Sequence, residues 1–144
     1  MTVPDDLAGR TDAALAQAAL DRLGMEARAG NIVTGSERIE AAARAGQVRL
    51  LLHAADAGAD GNGKLDQAWR VGGGEARGLV LPVDRTRLSV ALGRGNVVHL
   101  AVSDGGAAAR VRLAVERWLG FMGTIEDAPV GEAPAAQTDL DGQA

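Results

Sequence analysis

The chain has no cysteine, only 2% aromatic residues, and a single lysine among its 144 residues. Without cysteine the protein can form neither a disulfide framework nor a thiolate metal site or nucleophile. No apolar run approaches the roughly 20 residues that a transmembrane helix needs, and the N-terminus lacks the apolar stretch of a secretory signal. We therefore expect a cytoplasmic protein with no membrane partner.

Acidic charge is concentrated at one end of the chain. The net charge is −4, but no lysine or arginine accompanies the five acidic residues after Met122, which are Glu126, Asp127, Glu132, Asp139 and Asp141. Without these five, 14 acidic residues face 15 basic ones, so the rest of the chain carries a charge of +1. All basic residues except Lys64 are arginine. Arginine suits bidentate contact with phosphate, although a GC-rich genome also produces arginine-rich proteins.

Short apolar runs alternate with amphipathic segments. The runs expected as strands are 32–34, 48–52, 78–81 and 97–102, and the segments between them carry helical apolar spacing. Such alternation is typical of helices that cover both faces of a sheet. The sequence predicts an α/β fold, a three-layer α/β/α sandwich with a four-stranded mixed sheet and about five helices.

The predicted domain runs from 12 to 121, after an N-terminal extension, 1–11. The segment 122–144 is acidic, contains proline and lacks apolar periodicity, so we expect a disordered tail. Helix N-caps are predicted at four polar residues, Asp12, Ser36, Asp84 and Asp104. Helix ends are predicted at three glycines, Gly30, Gly46 and Gly93.

Three glycine-containing segments have a partial likeness to binding loops. Residues 59–66, ADGNGKLD, look like part of a calcium-binding loop, but Gly58 and Trp69 occupy positions that need oxygen ligands. We interpret them as a polar turn before a helix. The GRGN segment, 93–96, precedes a strand, unlike a dinucleotide-binding loop. The DGGAAAR segment, 104–110, opens a helix and could hold an anion, but it lacks the lysine of a P-loop.

The two histidines, His53 and His99, lie within or near the ends of apolar runs. Neither has a histidine or glutamate partner at a metal-binding or catalytic spacing, so we interpret both as partly buried strand residues. A serine nucleophile motif is also absent. The sequence therefore predicts no catalytic residue, no metal site and no cofactor, and it favours a protein that is not an enzyme.

Four segments match one known family in order and spacing. They are LGMEARAGNIVTGSE from Leu23, RAGQVRLLLHAADA from Arg44, ALG from Ala91 and VVHLAVSDGG from Val97. Over 18–121 the chain resembles the kink-turn-binding ribosomal protein family, known as L-seven-Ae and L-thirty-e. The resemblance implies a monomeric, ribosome- or translation-associated protein that binds structured RNA.

The resemblance also implies where RNA would lie. One loop is the strand-to-helix loop Gly35-Ser36-Glu37-Arg38, and the other joins the fourth helix to the last strand, Leu92-Gly93-Arg94-Gly95-Asn96. The loop around Asp56 lies beside them. Backbone N–H groups at the start of the second helix would hold a phosphate, and Arg38 and Arg94 would contact phosphates.

Three departures from the family pattern leave a second function open. The family asparagine that reads sheared G·A pairs corresponds to Glu37, a lysine one turn later corresponds to Ala41, and the loop 71–78 is longer. The alternative is a protein–protein interaction or nucleoid-associated regulatory module that kept the fold without specific RNA recognition.

The N-terminal stretch 3–24 resembles the linker of alphaproteobacterial fusion proteins in which a YlxR-type nucleic-acid-binding domain precedes a domain like this one. The resemblance implies that this chain is the C-terminal half of a longer protein.

Overall fold

The computed structural model describes the backbone of residues 3–127 and the side chains of residues 12–122. The helices are α1 (Val3–Arg28), α2 (Ser36–Arg44), α3 (Ala59–Val71), α4 (Arg85–Leu92) and α5 (Gly105–Asp127). The strands are β1 (Ile32–Thr34), β2 (Leu50–His53), β3 (Leu79–Val80) and β4 (His99–Val102). None of these helices has the length and apolar character that crossing a bilayer requires.

The four strands form one mixed sheet of order β1-β4-β2-β3. Strand β4 is antiparallel to both β1 and β2, and β3 is parallel to β2. Helix α1 packs against α4 and α5, and α2 packs against α3, so helices cover both faces. The predicted α/β fold, with its mixed sheet of four strands and its five helices, is confirmed in the described part of the chain.

The two central strands are buried at every position because helices cover both of their faces. Two tryptophans fill the layers on either side, and each indole finds a hydrogen-bond acceptor. Trp69 Nε1 donates to the carbonyl of Val48 at 2.9 Å. Trp118 Nε1 donates to Asp12 Oδ1 at 3.0 Å.

Two of the four predicted N-caps are confirmed. The side chain of Asp84 accepts a hydrogen bond from the Arg87 N–H at 2.9 Å. Asp104 accepts one from the Ala107 N–H at 2.8 Å. Gly46 and Gly93 follow helices α2 and α4 with positive φ angles of 76° and 67°, as glycine allows.

The other two N-cap predictions are wrong. Helix α1 already begins at Val3, since Pro4 is tolerated in a first helical turn, so Asp12 lies inside the helix and accepts from Trp118 instead. At α2 the N-cap is Gly35, Ser36 is the first helical residue, and no side chain caps the helix.

Two further boundaries differ from expectation. The segment 59–66 is not a turn but the first part of α3, because the helix extends back from its buried residues Leu65 and Trp69. Helix α5 continues to Asp127, so positions 122–127 of the predicted disordered tail are helical. The rest of that prediction, 128–144, lies outside the described residues.

Candidate nucleic-acid interface

The structure brings the two predicted RNA loops together. Residues 34–38 of the β1–α2 loop and residues 95–96 of the α4–β4 loop line one open cleft of about 480 Å³. We call it the loop cleft. The loops meet because β1 ends where β4 begins, with Thr34 paired to Leu100. This proximity follows from the antiparallel pairing of two strands that are far apart in sequence.

Arg94 ties the two loops to each other. Its Nη1 donates to Thr34 Oγ1 at 3.1 Å and lies 3.4 Å from the carbonyl oxygen of Ile32. The side chain is half-buried. Among the described residues its Nε and Nη2 groups have no hydrogen-bond acceptor, so they remain available to a phosphate.

The start of helix α2 presents backbone donors to the loop cleft. Gly35 precedes the helix with φ 93°, a conformation that L side chains rarely adopt. No side-chain oxygen caps the helix. The N–H groups of Ser36, Glu37 and Arg38 therefore have no acceptor within the described chain, and such donors at a helix N-terminus can hold an anion.

Asn96 adds a polar side chain to the same cleft. It is the one non-glycine residue of the described chain with a positive φ angle, 53°. Asparagine tolerates this left-handed conformation better than most residues, but it still costs some backbone energy. Residues held in this way occur preferentially at binding sites.

Two of the predicted site residues are not available as side chains. Leu92 is buried in the core, so only its backbone belongs to the loop. Asp56 is bound by Arg85, whose Nε lies 3.1 Å from Oδ2 and whose backbone N–H lies 3.0 Å from Oδ1. Desolvation raises the pKa of Asp56, but the hydrogen bonds from Arg85 outweigh it and leave the pKa below its usual value.

A buried polar cluster was missed by sequence reasoning. His53 and His99 face each other across β2 and β4, with Nδ1 to Nδ1 at 2.9 Å. The Nε2 of His53 lies 2.8 Å from Asp66 Oδ1, which also accepts the Gly78 N–H at 2.9 Å. The strand location was predicted, but the partners come from other elements. A register between the two predicted strands was the one signal that could have paired the histidines.

The hydrogen bonds of this cluster link the tautomers of its two histidines. If His53 donates from Nε2 to Asp66, its Nδ1 accepts a hydrogen bond from the Nδ1–H of His99. Burial lowers the pKa of His99 to about 4, with the neighbouring His53 and Arg85 acting in the same direction and Asp66 opposing them. Neither histidine lines the loop cleft. No group of three or more histidine or acidic side chains among the described residues could hold a metal ion.

A second buried polar group joins α1 to α5. Glu26, only 3% exposed, accepts from Arg110 Nε at 2.8 Å and from Asn31 Nδ2 at 2.9 Å. The hydrogen bonds from Arg110 and Asn31 lower the pKa of Glu26 to about 2 against the opposing effect of burial. This pairing neutralises Arg110, so the group is structural rather than a site for an anion.

Comparison with known proteins supports the fold. No protein-family profile matches the chain, and no curated protein matches it. A solved structure of a protein with unknown function from Bacillus halodurans C is similar, with a TM-score of 0.61 and 28% sequence identity. The match covers 68% of this chain and 96% of that chain.

Proposed function

We propose that the protein is a non-catalytic RNA-binding module that holds structured RNA over the loop cleft. The observation that carries the proposal is the meeting of two loops far apart in sequence around unbonded N–H donors, with the Arg94 guanidinium bonded to Thr34 at the edge of the same cleft. Backbone donors and arginines of this kind position a phosphate backbone. The proposal places the protein in the cytoplasm, acting as a monomer in ribosome- or translation-associated work.

The arginines of the loop cleft have no competing carboxylate partners. Neither Arg38 nor Arg94 forms an ion pair among the described residues, although many other arginines of the chain do. Both can therefore meet a phosphate without first breaking a salt bridge. The α/β/α architecture is also the one that resemblance to the kink-turn-binding family implies.

Glu37 limits which RNA features the cleft can read. Its ionised carboxylate accepts hydrogen bonds and donates none, and it is exposed at the start of α2 beside the N–H groups. We expect it to weaken phosphate binding and to remove the recognition of sheared G·A pairs that an asparagine would provide. The same observation favours the second candidate, a protein-binding module of the same fold.

Titration with two RNAs tests the proposal. One RNA contains a kink-turn and the other is a plain duplex of equal length and charge, and both are measured over a salt series. We expect tighter binding of the kinked RNA, with affinity that falls as salt rises because counterions are released from phosphates. Equal, weak binding of both RNAs would contradict the proposal and leave protein binding as the better explanation.

A further inference from the structure

The loop cleft continues into a longer furrow along α4. Asn96 borders both the loop cleft and a second cleft lined by Arg85, Thr86, Ser89 and Val90. Val90 in turn borders a third cleft, of about 410 Å³, between α1 and α4. We call this third cleft the α1–α4 groove. The shared residues place the three clefts next to one another along α4.

The α1–α4 groove combines free positive charge with an apolar wall. Arg28 and Arg87 line it, and neither guanidinium group has a carboxylate or hydrogen-bond partner among the described residues. The acidic residue of the groove, Asp21, accepts a hydrogen bond from Gln17 Nε2 at 2.7 Å. Apolar surface is exposed on Val90, at 78%, and on Met25, at 42%.

The groove is fixed by a close helix contact. A Cβ atom placed on Gly24 would lie 2.7 Å from the carbonyl oxygen of Ala91, which is closer than real contacts allow. Glycine at this position therefore lets α1 and α4 approach backbone to backbone. The side chains that flank the contact are consequently held on a rigid pair of helices, which lowers the ordering cost of binding.

We propose that the α1–α4 groove is a second RNA subsite, which takes a single-stranded segment that continues from the RNA in the loop cleft. Phosphates of this segment contact Arg28 and Arg87, and an unstacked base lies against Met25 and Val90. The inference rests on the proposed function, because it extends the path of the same RNA.

Charge complementarity selects a nucleic acid strand over a helix or peptide. Two unpaired guanidinium groups beside an exposed apolar wall match the alternation of phosphates and bases in a single strand. The neighbouring clefts lead away from the loop cleft along α4, which suits a strand flanking a folded RNA element. An acidic peptide would use the arginines but would need no continuity with the loop cleft.

The test compares RNAs with and without a flanking strand. The kink-turn stem is titrated alone and with a single-stranded uridine extension of about six nucleotides at its 5′ or its 3′ end. We expect one of the two extensions to raise the affinity. The salt slope should become steeper by about 1.4, since two single-strand phosphates each contribute about 0.7.

Matched variants assign the gain to the groove. R28A/R87A should abolish the gain and the added salt slope, while binding of the unextended stem stays unchanged. The control R49A/R77A removes the same charge from two exposed arginines at the end of the sheet where β2 begins, opposite the loop cleft, and it should retain the gain. M25S/V90S should reduce the gain without changing the salt slope.

The outcomes separate this inference from the function on which it rests. If the kinked stem binds better than a plain duplex but neither extension adds affinity, the subsite is wrong and the proposed function stands. The same holds if R28A/R87A and its control behave alike. If the stem itself binds no better than duplex, both proposals fail. An acidic peptide that binds the wild type and not R28A/R87A, with no RNA gain, would replace RNA by a protein partner.

Discussion

Among the residues that the structure describes, arginines between α1 and α5 have carboxylate partners, whereas those around the loop cleft and the α1–α4 groove do not. Between α1 and α5, Arg22 and Arg110 both meet Glu26, and on the outer side of α5 Arg112 meets Glu75 and Glu116. Around the loop cleft and the α1–α4 groove, four arginines have no carboxylate partner in the described chain: Arg28, Arg38, Arg87 and Arg94. Arg49 and Arg77 lack a carboxylate partner among the described residues too, but they lie at the opposite end of the sheet. If the proposed RNA binds, we therefore expect unpaired arginines beside a cleft, rather than the nearly balanced charge count, to decide where it lies.

The largest expected effect is on stability and comes from the buried ion pairs between α1 and α5. Replacing Glu26 with alanine should lower the free energy of unfolding by roughly 2–3 kcal/mol, because a buried acceptor of two side chains is lost. The exposed Glu116→Ala change is the control and should stay within about 0.5 kcal/mol of the wild type. Urea denaturation measures both. Equal stability of the two variants would show that the Glu26 pairing is not structural.

A charge reversal in the loop cleft should affect binding more than folding. Arg94→Glu should weaken RNA binding about tenfold and lower the salt slope by about one phosphate contact, because the guanidinium is bonded to Thr34, which lines the cleft, and has two unbonded N–H groups in the described chain. Arg77→Glu makes the same change at the opposite end of the sheet and should weaken binding far less. RNA titration at several salt concentrations measures both variants. An equal loss in both would mean that overall charge, not the loop cleft, drives binding.

Acid should destabilise the protein in two successive steps, first through His99 and then through Glu26. The pKa of His99 is lowered from 6.5 to about 4, so protonation favours the unfolded chain and stability falls as the pH drops from about 6.5 to 4. The pKa of Glu26 is lowered from 4.5 to about 2, so its contribution is lost between those values. Denaturation at a series of pH values should show the first step removed in His99→Gln. If the His99→Gln variant has the same pH profile as the wild type, a group other than His99 causes the first step.

The smallest effect concerns the acidic C-terminal segment. Truncation after Asp127 keeps all of α5 and removes three carboxylates, Glu132, Asp139 and Asp141. If these compete with phosphate for the clefts, RNA affinity should rise by roughly twofold at low salt, and the gain should shrink near 0.15 M, where the Debye length is about 8 Å. Identical affinities at low salt would leave this segment without a role in binding.

Local chemistry explains which parts of the fold were predictable. Asp84 and Asp104 act within their own helices, so their caps could be predicted from neighbouring residues alone. Asp12 fails because the helix begins earlier, at Val3, and the Asp12 side chain accepts from Trp118, which is far away in the chain. Ser36 fails because Gly35, with its positive φ angle, already occupies the capping position. The sequence pattern cannot show which of two adjacent residues takes that position.

In the candidate site, too, some features could be predicted from the sequence, whereas those that depend on contacts between distant elements could not. The β1–α2 and α4–β4 loops were predicted from a family resemblance, and the structure brings them together in one cleft. The pairing of Asp56 with Arg85 and the burial of Leu92 were not predicted, because both depend on contacts between elements. The α1–α4 groove was missed for the same reason, since Arg28 and Arg87 belong to helices that meet only in the folded chain.

The carboxylate of Asp66 has a consequence for proton exchange with solvent. It accepts from both His53 and the Gly78 N–H, just before the two-residue edge strand β3. A strand this short at the edge of a sheet would ordinarily exchange its amide protons within a brief local opening. The Gly78 amide is held by a carboxylate that the histidine cluster fixes in place, so we expect its exchange to be coupled to opening of that cluster. In deuterated solvent, this part of the edge should therefore label at the slow rate of the interior.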